Sequence, residues 1–154
     1  MSDILMPSPA DPVTDDEILY RALSADPRYL APDGQGGFRI SSMAFNDAGR
    51  RPSVDRAALC PDGAVEIQAR FSPGSGVLSL VAREVRSLQT VHGGTGLVYG
   101  VDVEPVPLPD NPAHAEIFGH PPFDTDKVFD RIKQALARIA TVVILPTKSE
   151  TDLP

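Results

Sequence analysis

Apolar residues fall along this chain in short runs divided by Pro, Gly and Asp, and the longest regular pattern lies near the carboxyl end. There Val128, Phe129, Ile132, Leu136 and Ile139 recur at the three- and four-residue spacing of one helix face, which predicts a helix over about 125–140. Asp124 or Thr125 can cap its start, and Asp126 suits the positive end of its dipole. Residues 141–145 (TVVIL) are few and β-branched, which predicts a last strand. Earlier in the chain, 18–23 (ILYRAL) reads as a strand and 26–37 as a Pro- and Gly-rich loop. In 38–45 (FRISSMAF), Phe38, Ile40 and Ser42 alternate with Arg39, Ser41 and Met43, as in a half-buried strand. Ser53-Val54-Asp55 before Arg56-Ala57-Ala58-Leu59 reads as the cap of a single helical turn.

Residues 63–71 and 76–82 predict two strands joined by the turn Ser72-Pro73-Gly74-Ser75, with a short helix over 83–89. Further strands are expected at 97–103 and 113–119, separated by the rigid 105–109 stretch and the Asn111-Pro112 turn. The sum is an α+β domain: a small, mostly antiparallel sheet with one main C-terminal helix and short helical turns. Residues 1–14 and 146–154 lack periodicity and are expected to be disordered tails around a single unit spanning 15–145.

Composition narrows the choice. A chain of 154 residues suits one domain. Its 16 prolines are about twice the usual share, so many segments must be loops. With no Trp, the core has to be aliphatic with a few Phe. The formal charge of −7 is concentrated at the start, where Asp3, Asp11, Asp15, Asp16 and Glu17 stand without a Lys or Arg through residue 17. The body is near neutral and has no dense basic patch with aromatic neighbours, which argues against nucleic acid. No apolar run reaches the roughly 18–20 residues of a membrane span, and the start lacks a secretory pattern. The expectation is a cytoplasmic protein. A lone cysteine, Cys60, excludes an internal disulfide and a Cys-rich zinc site, and it reads as a small core residue.

Five phrases stand out: LYR at 19–21, RISSMAF at 39–45, SVD at 53–55, AREVRSL at 82–88 and PLPDNPAHAEIFG at 107–119. Together and in this order they resemble a group of short, uncharacterised bacterial proteins, over roughly residues 18–145. The resemblance implies a recurring unit and brings no activity with it.

Three constellations carry candidate chemistry. On a strand, His114 and Glu116 would share one face about 7 Å apart, and with His120 they are the candidates for a metal. The His-x-Glu pair is similar to half of a zinc deaminase motif, but no cysteine follows position 60, so that reading fails. Arg21 with Ser41 and Ser42, and Glu116 further on, is weakly similar to NAD-consuming ADP-ribosyltransferases. There an Arg meets phosphates and a carboxylate stabilises an oxocarbenium-like centre. The Ser-Thr-Ser triplet and Glu-x-Glu pair of those enzymes are absent. Finally, Arg50, Arg51, Asp55 and Arg56, with Asn111 and His114, form a candidate binding set for a phosphate or an acidic partner. Gly93-Gly94-Thr95-Gly96 lacks the Lys of a phosphate loop. No catalytic set is complete when read linearly. The leading expectation is therefore a non-enzymatic interaction module of a bacterial multi-gene system, with a protein partner and no cofactor. The alternatives are an NAD-consuming transferase and a metal-assisted hydrolase.

Overall fold

Alternation along the strands sorts the side chains onto two faces, and both faces are covered in part. The computed structural model describes residues 7–71 and 74–147. Its strands are β1 (Ile18–Leu23), β2 (Leu30–Pro32), β3 (Phe38–Ile40), β4 (Ser53–Arg56), β5 (Gly76–Val81), β6 (Gln89–Val91), β7 (Val98–Pro105), β8 (His114–His120) and β9 (Thr141–Ile144). The helices are α1 (Ala64–Arg70), α2 (Ala82–Arg86) and α3 (Asp126–Ile139). Seven strands form one antiparallel sheet in the order β6-β7-β8-β4-β1-β5-β9, and β2 and β3 form a separate hairpin. The molecule is α+β, with α3 as its main helix.

Leu19, Leu23, Val54, Leu78, Leu80, Val101, Ala115 and Ile117 face the main core. Val128, Phe129, Ile132 and Leu136 of α3, Val85 of α2 and Phe45 of a 3-10 turn at Ser42–Phe45 close over them. The periodic apolar stripe read from the sequence is thus the buried stripe of α3. Its first turn is capped by Thr125, whose hydroxyl accepts the Val128 N–H at 3.2 Å. The opposite face carries a smaller cluster of Cys60, Ile67, Val77 and Ala113, packed with Tyr20 and Ala22 beneath α1.

Several elements differ from expectation: β2 lies within the expected 26–37 loop, and β6 follows a helix that ends at Arg86 where 83–89 was expected to be helical. Residues 38–45 are a strand only to Ile40, after which Ser41 accepts the Met43 N–H and starts the 3-10 turn. Ser53, Val54 and Asp55 do not cap a helix. They belong to β4, with Val54 turned to the core, and the 3-10 turn at Ala57–Leu59 follows without a side-chain cap. Residues 64–70 form helix α1 instead of a strand. Only Ile67 of α1 is fully buried, so the alternation of Val65, Ile67 and Ala69 was no guide, and Val65 is 60% exposed.

Residues 8–14, expected within a disordered tail, make defined contacts. Val13 is 3% exposed, and its carbonyl accepts from Arg86 at 2.6 Å. Arg56, wholly buried, pairs with Glu17 through two 2.8 Å hydrogen bonds and donates to the carbonyls of Asp11 and Pro12. In the other expected tail, the Thr147 N–H donates to the Gly74 carbonyl at 2.8 Å. Residues 1–6 and 148–154 of the expected tails lie outside the described residues, as do Ser72 and Pro73 of the expected turn.

Candidate functional site

The order β8-β4-β1 brings together residues up to 93 positions apart, from Arg21 to His114, because β4 pairs with β8 on one side and β1 on the other. On the face shared with α1, Ser53 and Asp55 project beside His114, opposite to core-facing Val54 and Ala115. The end of α1 adds Arg70 and Phe71, and the turn before β8 adds Asn111. These residues, with Arg21, Ala22 and Asp47, line an open cleft of about 410 Å³.

Its polar groups are tied to one another. Arg21 Nε donates to the Ala44 carbonyl at 2.7 Å, and its terminal nitrogens donate to the Ser53 carbonyl at 2.7 Å and to Asp47 at 2.6 Å. Asp47 also accepts the Ser53 N–H at 2.8 Å, so Arg21 and Asp47 together pin the backbone on both sides of Ser53. Asp55, 7% exposed, accepts from Asn111 Nδ2 at 2.7 Å and pairs with Arg70 at 3.4 Å. Arg70 also bonds Glu66 one helical turn back at 2.8 Å. His114 contacts the Val106 carbonyl through Nδ1 at 2.8 Å and Ser53 Oγ through Nε2 at 3.2 Å. The buried Oδ1 of Asn111 meets no donor among the described residues.

Of the residues singled out from the sequence, Arg21, Asp55, Asn111 and His114 converge here. Ser41 and Ser42 line a separate recess with Arg39 and Arg138, so the set Arg21, Ser41, Ser42 and Glu116 does not assemble. Glu116 is bound by Arg51 at 2.6 Å; Arg51 also pairs with Glu104 and lies over the Phe118 ring. The arginine cluster is dispersed as well. Arg50 bonds Asp126 at 2.8 Å at the start of α3, and Arg56 serves the buried clamp on the other face. His114, Glu116 and His120 alternate along β8, but no group of three His, Cys, Asp or Glu side chains is gathered for a metal ion among the described residues. Burial first, then the neighbouring Glu66, pushes the Cys60 thiol up to about 12, which keeps it protonated and unreactive.

Sequence reasoning passed over Asp47, Arg70 and Phe71, and placed Ser53 in a capped turn beside the arginine cluster instead of on a strand next to His114. Arg70 and Phe71 carried no signal once their segment read as a strand. The alternation of Ser53 and Asp55 around Val54 was the available sign of a polar strand face. Among the described residues no helix is long and apolar enough to cross a membrane. No protein-family model matches this chain, and no curated protein or solved structure does either.

Proposed function

We propose that the chain is a protein-interaction module, an accessory component of a multi-protein system, which holds its partner at the cleft between β8, β4, β1 and α1. The observation that carries this reading is an open cleft of about 410 Å³ with an exposed aromatic ring and polar side chains along its wall. Asn111 Oδ1, buried in that wall, has no donor among the described residues, a loss of about 1–3 kcal/mol that a partner recovers if the Asn111 amide turns to meet its N–H or O–H. Phe71, 56% exposed at the rim, offers an aromatic anchor next to it. The internal ion pairs of Arg21 with Asp47 and of Arg70 with Asp55 hold the wall in shape before the partner arrives.

The test is recovery of the tagged chain with a stoichiometric protein, followed by reconstitution of the purified pair. Phe71→Asp and Asn111→Ala should each weaken the reconstituted complex at least tenfold while leaving the melting profile cooperative. A chain that stays alone under native purification, or a complex indifferent to both substitutions, overturns the proposal.

A further inference from the structure

His114 sits between two oxygen atoms that dictate its protonation pattern. The Val106 carbonyl, 2.8 Å from Nδ1, only accepts, so in the neutral ring the proton resides on Nδ1. Nε2 is then a bare lone pair, and Ser53 Oγ, 3.2 Å away, donates its hydroxyl proton to it. Hydroxyl, imidazole and carbonyl therefore stand in the relation of nucleophile, general base and orienting acceptor. The serine is also held still, because Arg21 takes its carbonyl and Asp47 its N–H. We infer that Ser53 is a nucleophile activated by His114, and that the cleft accepts the acyl group of a small, uncharged ester.

The charge class follows from the lining. Arg21 and Arg70 contribute two positive charges, and Asp47 and Asp55 two negative ones. With these cancelled in pairs, no net field selects an ionic substrate, and Phe71 and Ala22 supply an apolar wall for the acyl chain. In the step itself, Ser53 Oγ bonds to the ester carbonyl carbon as its proton passes to His114 Nε2. The bond from that carbon to the alcohol oxygen breaks, and the departing oxygen takes the proton from Nε2. Water, deprotonated by the same nitrogen, then releases the acid and restores the serine. This chemistry goes beyond docking and needs no protein partner, so it stands or falls apart from the Phe71 and Asn111 experiment.

The alternative is a hydrogen bond that merely ties β4 to β8, and a serine-directed probe separates the two. Wild-type chain incubated with a fluorophosphonate should gain one adduct by intact mass, mapped to Ser53, with fluoride as the leaving group. The adduct should be absent from Ser53→Ala and should form about 100-fold more slowly in His114→Gln, the usual worth of a general base. Should His114→Gln fail to fold, Ser53→Cys provides a second reading at one site. Its new thiol should be alkylated by iodoacetamide at neutral pH at least tenfold faster than glutathione, while buried Cys60 stays unmodified. No adduct on the wild type, an adduct on another residue, or a Ser53→Cys thiol no faster than glutathione overturns the assignment.

Discussion

Arg56 is the residue with the most to lose. Its guanidinium is fully buried, bonded to both oxygens of Glu17 and to carbonyls of the segment ahead of β1. Removing one member of a buried pair strands the other charge without water, at a cost of about 3–5 kcal/mol. Arg56→Met should therefore lower the free energy of urea unfolding by about that amount. Glu17 makes the same clamp sensitive to acid. Burial raises its pKa, but the hydrogen bonds from Arg56 and the Thr14 N–H and the charge of Arg56 outweigh this, so the carboxyl sits below its ordinary 4.5. A depressed carboxylate contributes stability that is complete above the unfolded value and drains away as pH falls through the folded one. Asp102, lowered from 3.8 against burial by its contacts with Arg86 and the Val103 N–H, acts in the same direction. Thermal melts from pH 6 downward should show the midpoint falling below about pH 4.5, with a shallower fall in Glu17→Gln.

At the scale of elements, α3 was legible because its stripe, its Thr125 cap and its neighbours all agree on one answer. Thr125→Ala should cost about 1 kcal/mol in urea unfolding, the usual worth of such a cap. Helix α1 was illegible for the opposite reason. Seven residues carry too short a period, and the alternating Val65, Ile67 and Ala69 imitate a strand although one of them alone is fully buried. The four-residue spacing of Glu66 and Arg70, which pair one turn apart, was the hint of a helix in the sequence. Since Ile67 is the anchor of α1, Ile67→Ala should destabilise the fold by about 2–5 kcal/mol. Because α1 carries Arg70 and Phe71 to the cleft, the same substitution should disturb the cleft wall as well.

For the whole molecule, the decisive fact is the neighbourhood of β4. Residue types were visible in the chain: Arg21, Asp55, Asn111 and His114 all stood out by chemistry. What no linear reading supplies is that β4 lies between β1 and β8, since strand order depends on which apolar faces pair across tens of residues. The fold also dissolved the expected arginine cluster. Arg50, Arg51 and Arg56 are close in sequence, yet one binds the start of α3, one binds β7 and β8, and one enters the interior. Arg50 sits at a positive φ of 56° in the turn ahead of β4, so the chain changes direction between it and the strand that carries Arg56.

The pairing of β4 with β8 and of β5 with β9 has a further meaning for how the protein is made. The ribosome delivers β1, β4 and β5 well before the strands that flank them, so a growing chain holds two bare hydrogen-bonding edges while translation continues. Yield in a foreign host should therefore track elongation speed and the supply of chaperones more closely than the stability of the finished molecule. Rare codons placed between residues 82 and 113 should send more of the product to inclusion bodies.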